Sequence, residues 1–213
     1  MKAKNTERST VQTARRIVVK IGSRVLVTNT GRPDLPRIKS LVKELAKLRK
    51  AGREVVVVSS GAIGCGVDAL KLKTRPTSLP ELQMAAAVGQ TRLMSFYDKF
   101  FAAGKCRVGQ VLLTHDDLRD RRRHLNARNT MMALLRNGII PIVNENDVVA
   151  VDEIKFGDND KLAALVALLI EADLLILLTT VDGFQAPGKG GRMRRVPILK
   201  SVTDEELQHA QGK

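Results

Sequence analysis

Tryptophan is absent, tyrosine occurs once and phenylalanine five times, so aromatic residues make up only 3% of the 213-residue chain. A core must therefore be built from Val, Leu, Ile and Ala, and few side chains are left for stacking on nucleic-acid bases. The two cysteines, Cys65 and Cys106, cannot form a disulfide framework and lack metal-ligand spacing. Both are expected to be small buried apolar residues, and no metal-ligand set is read from the sequence. No apolar run approaches the length of a membrane span, so no membrane partner is expected. The opening MKAKNTERSTVQTARR is basic but has no apolar stretch followed by a small-residue cleavage site. It does not read as a signal peptide, and a reducing cytoplasm is the expected location. Residues 1–15 are expected to form a basic, flexible extension, with one domain over 16–213.

What is abundant is positive charge. Thirty-six Lys and Arg against 22 Asp and Glu give a net +14. Three explanations stand: a solvated basic surface, small anionic substrates, or a nucleic-acid partner. The basic clusters Arg15–Arg16, Arg119–Arg123 and Arg192–Arg195 carry no interleaved aromatics, which counts against nucleic acid. The hydrophobic fraction of 44% is that of an ordinary folded domain.

Five short apolar runs rich in β-branched residues, Ile17–Ile21, Val55–Ser59, Val108–Leu113, Ile140–Asn144 and Leu174–Thr179, read as strands covered on both faces. Between them lie helical segments. Ile38, Leu41, Val42, Leu45 and Leu48 recur at steps of three and four, after Pro36 and before Gly52. Further helices are predicted over Pro80–Ala103, His124–Arg136 and Asn159–Ala172. Alternating strand and helix predict a three-layer α/β sandwich, with a mainly parallel central sheet and helices on both faces. The Gly- and Arg-rich stretch Gln185–Arg195 reads as a mobile surface loop, and Thr203–Glu206 as a helix start with a capping box.

Parallel sheets place ligand sites beyond the carboxyl ends of their strands, which selects five loops. Lys20-Ile21-Gly22-Ser23 joins a cation, a residue that lets backbone come close and a hydroxyl; it suits a phosphate but lacks P-loop spacing. Ser59-Ser60-Gly61-Ala62 leaves a buried strand for a helix with free amides. Asn144-Glu145-Asn146-Asp147 offers acceptors for an ammonium group. Gly157-Asp158-Asn159-Asp160-Lys161 carries more carboxylate than helix capping needs. Thr179-Thr180-Val181-Asp182-Gly183 has hydroxyls and a turn glycine that suit a nucleotide, or an ordinary turn. The three histidines, His115, His124 and His209, lie outside these loops and read as structural or surface residues.

Taken together, VVKIGSRVL, SSGAIGCG, AAVGQTRL, VGQVLLT, HLNARNT and PIVNENDVVAVDEIKFGDNDKLAALVA resemble the amino-acid-kinase family. Within it the likeness is to members that phosphorylate the side-chain carboxylate of L-glutamate. It runs from Arg16 to Asp182, and the NEND and GDND stretches are its most specific part.

The resemblance implies ATP and Mg²⁺ as cofactors, L-glutamate as substrate and a homo-oligomer. It implies that Lys20 contacts the transferring phosphoryl group, with backbone and hydroxyl donors from Gly22 and Ser23 beside it. Ser60, Gly61, Asp147 and Asn159 fall at substrate-binding positions, Asp158 at the acid that orients the lysine, and Thr179 and Thr180 at the ATP-binding pair. At the second of these threonines the family often has Asp. The family also carries a downstream Gly-Gly-Met-x-Thr-Lys segment for the ATP phosphates. Gly190-Gly191-Arg192-Met193 comes too early and lacks its ending, so a C-terminally incomplete kinase domain is expected. The remaining alternatives are a relative acting on acetylglutamate, aspartate or a nucleotide, and a non-catalytic regulatory or nucleic-acid-binding relative.

Overall fold

Five apolar strands form one sheet in the computed structural model, which describes residues 11–28, 30–150, 159–187, 192–199 and 201–202. They are β1 (Arg16–Ile21), β2 (Glu54–Val58), β3 (Arg107–Leu113), β4 (Ile139–Glu145) and β5 (Leu174–Leu178), in the order β3-β4-β2-β1-β5. Every pairing is parallel, with Ile17 opposite Val55 and Leu174. Each lies within one residue per end of its predicted run, and Ser59 N–H still donates to Val143 O at 2.8 Å beyond the end of β2.

Two cores follow from the two-residue period of the strands. Ile17, Val19, Val55, Val57, Ile140 and Ile142 face one cluster, while Val18, Val56, Val58 and Val143 face another. The first is closed by α2 (Leu35–Lys50), through Ile38, Val42 and Leu45, and by α4 (Leu79–Ala103), through Leu93, Tyr97 and Phe101. The second is closed by α6 (Arg121–Arg136) and α7 (Asp160–Leu169), through Met131, Leu135, Leu162 and Val166. The three-layer sandwich is thus the observed architecture. Cys65 and Cys106 are both buried and free, and burial, aided by Asp68, pushes the Cys65 thiol up to about 12.

Among the described residues the first unit also has three short helices, α1 (Ser23–Leu26), α3 (Ala62–Ala69) and α5 (His115–Arg119). Helix α5 is marked by a local signal at its start. Thr114 Oγ1 accepts from Asp117 N–H, and the Asp117 carboxylate accepts from Thr114 N–H, a reciprocal capping box. Asp120 then caps α6 by accepting from Arg123 N–H at 2.9 Å, so that helix starts at Arg121 and not at His124. Ahead of β1, Asp173 accepts from the N–H groups of Arg15 and Arg16 at 2.8 and 2.7 Å.

The chain divides into two compact units, Met1–Leu178 and Thr179–Lys213. The second corrects one expectation. Instead of one long loop, Gln185–Arg195 contains β6 (Gln185–Pro187) and β7 (Met193–Arg195), paired antiparallel with Gln185 opposite Arg195. Neither QAP nor MRR has an apolar alternation that would mark it as a strand. The helix expected from Thr203 lies outside the described residues. No helix among the described residues is long and apolar enough to cross a membrane.

Candidate active site

Lys20 is the one cation in the apolar run of β1, and only 1% of its side chain is exposed. Burying an ammonium so completely costs free energy unless anionic or polar groups meet it. Its Nζ lies 2.8 Å from Oδ1 of Asp160, the first residue of α7, whose side chain is 49% exposed. A strand-end lysine is thereby held by a carboxylate on a helix across the sheet edge. The acid expected in that role, Asp158, lies outside the described residues, and the pairing of Asp160 with Lys20 was not anticipated.

Gly22 departs from expectation in one respect. Its backbone N–H donates to Leu178 O at 3.1 Å, so that donor is spent on joining β1 to β5. Gly22 is also closely packed: a Cβ built on it would lie 3.4 Å from Lys20 Nζ and 3.3 Å from Leu178 O. Ser23 begins α1 and lines a cleft of about 1320 Å³, together with Gly61. Gly61 has φ +92°, a left-handed conformation open to glycine at little cost, and it starts α3 immediately beyond β2.

Asn159 stitches the residue after β2 to the end of β4. Its Nδ2 donates to Ser59 O at 2.7 Å and to Asn144 Oδ1 at 2.9 Å. Asn144 Nδ2 in turn donates to Gln90 Oε1 at 2.8 Å, and Ser59 Oγ shares a hydrogen bond of 2.8 Å with Tyr97 OH. Gln90 and Tyr97 both belong to α4, so a helix far away in sequence holds the strand ends that carry the polar loops. Neither residue was singled out from the sequence, although Gln90 ends the AAVGQ run. Ser60 is fully buried, and its Oγ has no hydrogen-bond partner among the described residues. Ser60, Asp147 and Asn159, far apart in sequence, are all buried at this carboxyl edge of the sheet. The cleft itself is lined by Gly61, not by these three.

Asp147 follows β4 and is buried, and its Oδ1 has no hydrogen-bond partner among the described residues. Burial pushes its carboxyl up from 3.8 to about 7; the charge of Glu145 pushes the same way, and Arg75 opposes both. Glu145, also buried, lies 3.3 Å from His115 Nδ1. His115, read from the sequence as structural, thus stands directly behind the Asn144–Asp147 loop.

This raised carboxyl predicts a pH dependence of stability. Between about pH 4 and 7 the folded chain holds a proton on Asp147 that the unfolded chain has released. The contribution of this group to stability therefore falls as pH rises through that window and stays low above it. Asp147→Asn is expected to remove the slope. Its Tm should exceed that of the parent at about pH 8 and converge with it near pH 4. A variant less stable than the parent at the higher pH would show that the ionised carboxylate is held by compensating partners.

Thr179 and Thr180, the expected ATP-binding pair, are exposed residues that open the second unit.

Similarity to known proteins accords with this arrangement. The amino acid kinase family profile matches residues 15–210. The chain is 54% identical over 194 residues to the glutamate 5-kinase of Moorella thermoacetica, covering 90% of this chain and 51% of that protein. It is 49% identical to that of Carboxydothermus hydrogenoformans, covering 96% and 56% respectively. For the glutamate 5-kinase of Clostridium acetobutylicum the figures are 51% identity, 98% and 79%. The chain spans about half the length of most of these curated relatives.

Proposed function

The chain belongs to the amino acid kinase family, and on that premise we propose that its protein transfers the γ-phosphoryl group of ATP to the side-chain carboxylate of L-glutamate. The product is L-glutamyl 5-phosphate, and the reaction is the first step of proline biosynthesis, carried out in the cytoplasm. The observation that carries this reading is the ion pair between the buried Lys20 and Asp160 at the carboxyl edge of the sheet, in a chain about half identical to glutamate 5-kinases.

The chemistry asks little of acids and bases. A free glutamate side chain titrates near 4.3, so the nucleophile is already ionised at neutral pH. What is needed is in-line placement and positive charge against the phosphoryl oxygens. Lys20 supplies that charge, Asp160 orients its ammonium, and Gly22 leaves room beside it. Asp158 is a further acid for the same lysine. Ser23 offers its hydroxyl at the rim of the cleft. Ser60 and Gly61 meet the substrate, Asp147 takes its ammonium, and Asn159 holds the loop after β2 against the end of β4. Thr179 and Thr180 hold the nucleotide. Mg²⁺ would arrive on the ATP phosphates, and its charge would add to that of Lys20 against the phosphoryl oxygens.

The complete gene product, assayed for ATP-dependent phosphorylation of glutamate, aspartate, acetylglutamate and UMP, should favour glutamate. Preference for any of the other three would redirect the assignment. Because an ammonium favours ionised Asp147, kcat/KM for glutamate should also fall as pH drops below about 7.

A further inference from the structure

The hydrogen bonds that join α4 to the ends of β2 and β4 run in one fixed direction, and Ser59 is their anchor. It is fully buried, and its N–H donates to Val143 O at 2.8 Å, which ties it to β4. Its hydroxyl has one proton, given to Ser60 O at 3.1 Å, so the phenol of Tyr97 must donate to Ser59 Oγ across their 2.8 Å contact. The carbonyl of Ser59 can only accept. The Asn159 atom 2.7 Å from it is therefore the amide nitrogen, whose second proton goes to Asn144 at 2.9 Å. The Asn144 atom at that contact must be its oxygen, which turns the Asn144 nitrogen towards Gln90 at 2.8 Å. Gln90 ends the chain as an acceptor, through Oε1.

Each amide orientation in this series depends on the next. Asn144 and Asn159 are both 1% exposed, so solvent is not at hand to replace a lost partner. Without an acceptor at position 90, Asn144 keeps a buried donor with nothing to receive it. Turning its amide over would only set nitrogen against nitrogen at Asn159. Gln90 holds its own orientation although its Nε2 is left buried without a hydrogen-bond partner among the described residues. Both protons of Asn159 Nδ2 are engaged as well, so that side chain has no donor left for a ligand.

We propose that Gln90 is a positioning residue for phosphoryl transfer: as the acceptor that ends the chain, it fixes the amides of Asn144 and Asn159, and with them the spacing between the ends of β2 and β4. It acts through Asn144 and not on the substrate. The inference rests on the glutamate-kinase reading above.

The test uses the complete gene product. Gln90→Met keeps the length of the side chain without an oxygen acceptor, whereas Gln90→Glu keeps the acceptor. Gln90→Met should lower kcat/KM for glutamate about 10- to 100-fold, the scale for misplaced reacting groups. Its KM for ATP should stay within about twofold of the parent, because the chain joins β2 to β4 and leaves β1 aside. Gln90→Glu should remain at least about fivefold more active than Gln90→Met, since a carboxylate oxygen still accepts from Asn144. Gln90→Asn, whose amide is one methylene short of Asn144, should resemble Gln90→Met and replaces it if that variant does not fold. A glutamine that only packs would behave differently. Gln90→Met would then lose Tm while its folded fraction kept the parent's kinetic constants, or Gln90→Glu would be no better than Gln90→Met. Either result overturns the proposal. A parent protein unable to phosphorylate glutamate would instead overturn the reading on which it rests.

Discussion

Lys20→Ala is expected to lower kcat on the order of 10²- to 10³-fold, the scale for removing one well-placed donor to developing charge. The KM for glutamate should change by less than about threefold. The asymmetry follows from where the charge acts. The terminal phosphoryl oxygens gain most from Lys20 as the bond to the leaving group breaks, whereas Asp147 and its neighbours hold the substrate's ammonium throughout. The loss is not expected to be an unfolding effect. Asp160 is half exposed, so water can reach its carboxylate once Lys20 is gone. Lys20→Met checks this, since it keeps most of the buried volume without the charge and should fall as far as Lys20→Ala. Lys20→Arg should recover little, because a broad planar fork replaces a compact ammonium at a position with 1% exposure. Asp160→Asn should reproduce much of the defect, and Asp158→Asn tests the role that resemblance places two residues earlier in the sequence. Steady-state kinetics with glutamate and ATP varied separately decide the matter. A kcat near that of the parent in both Lys20→Ala and Lys20→Met would remove Lys20 from the mechanism.

How far such a site can be read from the chain alone depends on which interactions are local. The five strands were legible because a strand buried on both faces must be apolar at every position, and runs such as Glu54–Val58 have little else. Lys20 was legible for the complementary reason: a charge inside such a run needs a purpose. The partner of Lys20 was not. Whether Asp158 or Asp160 reaches across depends on where α7 begins and on its rotation about its axis, which two acids flanking one asparagine do not decide. Gly22 looked like a phosphate donor because the sequence does not show that β5 pairs on that side and takes its N–H. The two short strands β6 and β7 carry no apolar alternation, so their pairing had no pattern to betray it.

The AAVGQ run was legible as a motif without its reason, and that reason gives the second large effect. Helices α3 and α4 pack backbone against backbone. A Cβ on Gly89 would come within 1.8 Å of Ala62 O and 2.4 Å of Gly66 N, and one on Gly66 within 1.8 Å of Ala85 O. Real Cβ atoms do not approach so closely, and carbonyl and amide groups in helices cannot swing aside as a side chain would. Gly89→Ala must therefore push the two helices apart. That opens the packing of Ile63, Leu82, Ala85 and Ala86, which form their own small cluster at this contact. Overpacking a core commonly costs about 1–3 kcal/mol. A clash with backbone should reach the upper end of that range or exceed it, a large part of the ~5–15 kcal/mol that holds a typical domain together. Ala87→Ser, two residues away at an exposed position of the same helix, should stay within about 0.5 kcal/mol of the parent. Denaturant titration of both variants supplies the comparison. The displacement also reaches the site by two routes: α3 begins directly after Ser60 and Gly61, and Gln90, next to Gly89, anchors Asn144 and through it Asn159. The fraction of Gly89→Ala that remains folded should accordingly show an impaired KM for glutamate, while Ala87→Ser keeps the parent value. A Gly89→Ala protein as stable and as active as the parent would mean that the two helices do not touch through their backbones.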